Sequence, residues 1–262
     1  MHTCPECAED TEIELSADED ILEAGTEEGL LTALDANNTI KNIRLTADID
    51  LSSTAAAIEI SKQACLDLNG YTITFSVHAP TDQSVPVFKV VANGDFTIMD
   101  SVSANEEITE NNVTDTTASY HDGILTYYVL QTRNNITNKF QHVATAAGLI
   151  TSRDDSNADA IVTVDGGKFQ LHGGMFANTT GVRDVYVNNG SFTMLGGYLT
   201  GINNSRLKGR GGAVSVMNAS TATISGGVIA GNRSFYGGGI HITSSEPVQI
   251  GGTAVISGNT AD

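Results

Sequence analysis

The chain has 262 residues, 40% hydrophobic and 6% aromatic, with 13 basic against 31 acidic side chains and a net charge of −18. That length suits one large domain or two small ones, and a polyanion repels phosphate backbones and anionic lipids, which excludes nucleic acid and membrane surfaces as partners. No apolar run approaches the ~20 residues that cross a bilayer, so membrane insertion is excluded too, and the glycines show no period of three, which excludes collagen.

The acid is concentrated at the start. Residues 1–28 hold 11 acidic side chains and no basic one, which leaves 20 acids against 13 bases, or −7, for the rest. Residues 1–20 read as a solvated acidic tail without fixed structure, and residues 21–262 as one domain. Met1 leads straight into polar residues, so no signal peptide is expected. Cys4 and Cys7 form a Cys-Pro-Glu-Cys pair inside that tail, and Cys65 stands apart. A zinc site needs a second pair or two histidines, and only His2 is near, so the pair is read as inert or as a disulfide within the tail. Thr26 followed by Glu27, Glu28, Leu30, Leu31, Ala33 and Leu34 predicts a short amphipathic helix with acids in its first turn. A strand at Ile43-Arg44-Leu45 follows.

From Ile58 onward one pattern recurs. Apolar residues two apart occur at Ile58/Ile60, Phe88/Val90, Val162/Val164, Val185/Val187, Val214/Val216 and Ile240/Ile242. A second pair follows each after five or six residues, at Leu66/Leu68, Phe96/Ile98, Phe169/Leu171, Phe192/Met194, Ala222/Ile224 and Val248/Ile250. Later copies add a third element at Met175-Phe176, Tyr198-Leu199, Val228-Ile229 and Val255-Ile256, and close on Asn178, Asn203, Asn232 and Asn259. These copies are 23 to 30 residues apart, too short for the roughly 40–45 residues of a propeller blade. Three short strands cannot bury their inward side chains alone, but they can when each unit coils once and stacks on the last. The predicted fold is therefore all-β, a parallel β-helix of three-strand coils whose first end is shielded by the helix near residue 26.

Residues 101–157 interrupt the period, since Val90 and Val162 are 72 apart. Their tyrosines, histidines and Phe140 predict a folded excursion from one coil. The last coil has nothing after it to cover Ile242, Ile250 and Ile256. Either further repeats or end-to-end self-association through this coil is expected there.

Two sets of motifs carry a resemblance. Gly211-Gly212-Ala213-Val214, Ile224-Ser225-Gly226-Gly227-Val228-Ile229, Gly237-Gly238-Gly239-Ile240 and Ile256-Ser257-Gly258-Asn259 resemble the repeats of polymorphic outer-membrane proteins and related bacterial surface adhesins. Leu66-Asp67-Leu68-Asn69-Gly70-Tyr71-Thr72-Ile73 resembles the N-terminal part of large pectate-lyase-like surface proteins. Together these cover residues 26–100 and 158–262. The resemblance implies a right-handed β-helix, an extracellular place on a bacterial cell surface, and work as an adhesin.

Chemistry is sparse. Lyases and hydrolases of the pectate-lyase-like fold need clustered carboxylates, with calcium and a basic residue, or a carboxylate pair. The densest acids, Asp154, Asp155, Asp159 and Asp165, lie in a Ser/Asn-rich loop and read as solvated turn acids. His172 and His241 fall between inward residues and read as solvent-facing. No catalytic residue, metal ligand or cofactor is therefore expected. Binding has two candidate places. One is the aromatic excursion with Tyr120, Tyr127 and Tyr128, since sugars lay their apolar faces on such rings. The other is the basic turn of Arg206, Lys208 and Arg210, with Arg183 and Arg233 in equivalent turns, where anionic glycans would fit. The expected function is an extracellular, non-catalytic β-solenoid, an adhesin or stalk presenting loops to glycans or host surface proteins. A polysaccharide lyase or glycoside hydrolase and a purely structural spacer are the alternatives.

Overall fold

The computed structural model describes residues 20–52, 56–78, 84–110, 117–133, 136–204 and 212–262. Three long parallel sheets run along it, with a short parallel ladder of Asn203–Asn204, Arg233–Ser234 and Thr260–Ala261 beside them, and the chain visits the long sheets in rotation, which makes a parallel β-helix. The first sheet stacks Ile21–Ala24, Asn42–Leu45, Gln63–Asp67, Asp95–Met99, Lys168–Leu171, Ser191–Met194, Thr221–Ile224 and Val248–Ile250. The second runs from Ile49–Leu51 through Thr72–Phe75, Leu149–Ser152, Met175–Ala177, Tyr198–Thr200 and Val228–Ala230 to Val255–Ser257. The third holds Ile58–Ile60, Phe88–Val91, Val162–Asp165, Val185–Asn188, Val214–Met217 and Ile240–Ile242.

All six predicted pairs of the third sheet stack in register, so that Val90, Val164, Val187 and Val216 form one inward column. Period-2 alternation sends these valines inward and the residues between them outward. The first sheet brings Phe96, Phe169 and Phe192 into a second column. Ring centroids there are 6.0 and 5.5 Å apart, and Phe88 joins at 5.5 Å from Phe96, so six of the chain's eight phenylalanines are fully buried, and stacking adds to burial. One predicted pair is corrected. Ala64 and Leu66, not Leu66 and Leu68, align with Phe96 and Ile98. A slip of two keeps the same face, and Leu68 turns inward at the corner beyond the strand, where it is fully buried.

The helix Glu27–Leu34 forms where expected. Thr26 Oγ1 accepts from the Gly29 amide at 3.1 Å, and Leu30, Ala33 and Leu34 are buried over the first coils. Lys62 holds the far end, its Nζ donating to the carbonyls of Ala33 and Asn38 at 2.8 Å each. The sequence reading missed the strand Ile21–Ala24, which pairs in parallel with Asn42–Leu45. Cys65 also differs from expectation, since it is buried and disulfide-bonded; Cys4 and Cys7 lie outside the described residues.

Stacked Gly-Gly corners explain the repeated glycines. Gly197 and Gly227 have φ of +81° and +79°, and a Cβ on either would sit 2.8 or 2.7 Å from the carbonyl oxygen of the coil before. Only glycine allows both.

The excursion is a four-stranded antiparallel sheet in the order Ser119–His121, Ile124–Arg133, Ile136–Thr145, Asn105–Glu110. It is shorter than expected. Leu149–Ser152 already belongs to the solenoid, between Thr72–Phe75 and Met175–Ala177. Its only buried inward side chain is Ile150, so no apolar pair marked it. The outward column of the second sheet is apolar (Leu149, Met175, Tyr198, Val228, Val255), and Ala118, Leu125, Tyr127 and Ala144 of the inserted sheet pack on it. At the last coil Ile242, Ile250 and Ile256 are about half exposed.

Candidate functional site

The aromatic excursion does not gather its rings. Tyr127 is buried against the solenoid, its hydroxyl donates to Glu106, and its ring stacks on His142 at 4.8 Å. Burial, then the bond to Glu106, pushes its hydroxyl far up; Tyr198 beneath it is pushed up to about 12, mostly by burial. Tyr120 is half-buried, and its hydroxyl accepts from the Gly123 amide at 3.1 Å. Tyr128 points to the opposite face, as adjacent residues of a strand must, where the Lys139 ammonium lies 5.7 Å from its ring centroid. Arg206, Lys208 and Arg210 lie outside the described residues. Of the two arginines expected beside them, Arg233 is held by Asp262 at 2.9 Å and Arg183 by Asp159 at 3.1 Å.

Three of the four loop acids are engaged by other side chains of the protein. Asp155 accepts from Ser76 Oγ at 2.8 Å, Asp159 pairs with Arg183, and Asp165 pairs with Lys89 at 3.2 Å. Among the described residues no group of three His, Cys, Asp or Glu side chains could hold a metal ion.

What the fold does assemble is a groove of about 370 Å³ on the outer face of the third sheet. Lys89, Thr163 and Tyr186 are register neighbours on three adjacent strands, each between two inward residues. Asp165 and Asn188 form the next outward row. Asp159 and the segments around Ala57 and Val85 complete the wall. Arg183 stabilises this floor from the side. Its guanidinium lies 4.3 Å from the Tyr186 ring centroid, its Nη2 donates to Asp159 Oδ1, and its backbone amide donates to the Asp159 carbonyl at 3.1 Å.

Two polar atoms here are buried without a hydrogen-bond partner: Thr163 Oγ1 and Arg183 Nε. Such orphans are rare in folded proteins, since each forfeits its bond to water. No family model matches the chain, and no curated protein or solved structure matches it. The groove lining offers two carboxylates, one ammonium, the Asn188 amide and an aromatic ring.

Sequence reasoning saw Asp159 and Asp165 only as turn acids and did not connect Lys89, Thr163, Tyr186 and Asn188. The signal was their outward place beside the inward pairs. The 72-residue gap between Val90 and Val162 hid that Lys89 and Thr163 are neighbours.

Asp184, next to Arg183, is wholly buried. Its Oδ1 accepts from the Asn178 amide at 3.0 Å, its Oδ2 has no partner, and burial pushes its carboxyl well above the ordinary 3.8. The folded chain thus keeps a proton that the unfolded chain releases, so stability is full below 3.8 and falls as pH rises toward the folded value. Asp184→Asn removes that loss and keeps the acceptor for Asn178. Its melting temperature should match wild type below the ordinary carboxyl value of 3.8 and exceed it as pH rises above that value. Thermal melts at several pH values decide this; a constant difference would contradict it.

Proposed function

We propose that the protein is a non-catalytic β-solenoid of a bacterial cell surface, an adhesin or the stalk of one, which holds a glycan in the groove of its third sheet. The observation that carries this reading is the Tyr186 ring lining one groove with Lys89, Asp159, Asp165 and Asn188, steadied by the Arg183 guanidinium 4.3 Å from its centroid. Saccharides are bound by such a mixture, with a ring against their C–H faces and fixed donors and acceptors for their hydroxyls. Surface location and adhesion rest on the resemblance of the Gly-Gly-Val-Ile and Gly-Gly-Gly-Ile segments to adhesin repeats.

A polysaccharide lyase is the second reading, because acids and a lysine share one groove. Against it, both groove acids are engaged by cations of the protein, Asp159 by Arg183 and Asp165 by Lys89. Binding to an immobilised glycan panel tests the proposal. Wild type should bind, and Tyr186→Ala should bind at least tenfold more weakly while remaining folded, a loss of about 1.4 kcal/mol or more. A folded protein that binds no glycan is a spacer. Release of unsaturated or reducing sugar ends would favour the enzyme.

A further inference from the structure

We infer that the outer face of the first sheet around Cys65 is the docking face of the chain's own acidic N-terminal segment, residues 1–19, held there by a disulfide from Cys65 to Cys4 or Cys7. Cys65 is disulfide-bonded, and the chain has only two other cysteines, Cys4 and Cys7. Its partner is therefore one of that pair, and the other keeps the chain's one remaining thiol. The length suffices. Asp20 is 13 positions beyond Cys7, an extended reach of about 40 Å. Cys65 lies two strands from Ile21–Ala24, across Asn42–Leu45, which is only about 10 Å.

The exposure of that face points the same way. Cys65, Thr97, Gln170, Thr193, Thr223 and Gln249 form one outward column of the first sheet. Thr223 and Gln249 are exposed and Thr193 is half-buried, as an open sheet face requires. Thr97, the same residue type in the same column, is only 5% exposed, Cys65 is 4%, and Met99 in the next outward row is 7%. Among the described layers, the helix packs on Ile21–Ala24, Ile49–Leu51 and Ile58–Ile60, and the inserted sheet packs on the second sheet. Neither covers these three side chains.

Charge alone would drive the segment away, since it carries seven acidic side chains and no Lys or Arg on a chain of net charge −18. A covalent bond holds it against that repulsion. Forming the bond takes two protons and two electrons from two thiols, which a disulfide oxidant accepts. Such bonds persist outside the reducing cytosol, which supports the surface location proposed above.

Peptide mapping of the full chain tests the connection. The chain is alkylated in denaturant without reduction, then cut with trypsin and a Glu-specific protease, because Glu6 separates Cys4 from Cys7. Mass spectrometry should find the Cys65 peptide joined to one of them and the alkyl group on the other. A Cys4–Cys7 bond with alkylated Cys65, three alkylated cysteines, or a Cys65 bond between two chains would each overturn the inference. Dilute peroxide tests the covering. Met99 should be oxidised at least about tenfold faster in the folded Cys4→Ser/Cys7→Ser variant than in wild type; that variant alters only the segment and leaves the coils as they are. Equal oxidation rates would overturn the docking even with the disulfide in place.

Discussion

A chain carrying Val187→Asp is expected not to fold. Val187 is 0% exposed and sits in a column between Val164 and Val216, themselves fully buried. Nothing there can pair with a carboxylate. An unpaired buried charge costs several kcal/mol, set against a total margin of about 5–15 kcal/mol. Loss should spread, because each coil buries its inward face only on its neighbours. Thr223→Asp provides the control. Thr223 alternates with buried Ala222 and Ile224 and is exposed, so the same charge should change stability by about 0.5 kcal/mol or less. Circular dichroism and thermal melting read both. Equal melting temperatures would contradict the strand register.

Replacing residues 104–146 by a short Gly/Ser turn is expected to give a poorly soluble, destabilised protein and not a bare, stable rod. The reason is the outward column of the second sheet. Met175 is 0% exposed and Val228 8% under the inserted sheet, with Leu149, Tyr198 and Val255 beside them. Uncovering such side chains forfeits roughly 1.5–3 kcal/mol each and leaves a contiguous apolar stripe, the usual route to association. Size-exclusion chromatography and melting should show aggregation and a lower melting temperature. Met175→Thr with Val228→Thr should restore solubility to the shortened chain, since Thr193 and Thr223 occupy the matching outward positions of the first sheet. A monomeric shortened chain with an unchanged melting temperature would contradict the packing described.

The solenoid was legible because its core is written twice over, once in the alternation within a strand and again in the spacing between coils. Where both signals were present, as in the six pairs of the third sheet, the register came out correctly. Where one was weak it slipped. Ala64 is a small inward residue and gave way to the larger Leu68, and Leu149–Ser152 had only Ile150 facing in. Ile21–Ala24 was swallowed by the acidic run around it, although its pairing with Asn42–Leu45 is what anchors the start of the first sheet. The groove was hidden for a different reason. Its residues come from strands separated by the excursion, and their chemistry appears only when Lys89, Thr163 and Tyr186 stand side by side. Tyr120 and Tyr127, the conspicuous aromatics, face the solenoid because its outward column there is apolar.

Amide chemical-shift mapping of the full chain, titrated with a bound oligosaccharide, tests the glycan groove most directly. The account predicts that the largest shifts fall on Lys89, Thr163, Arg183 and Tyr186, with the sugar recovered uncleaved. Shifts centred on Tyr128 and the inserted sheet, or a sugar recovered in pieces, would contradict it.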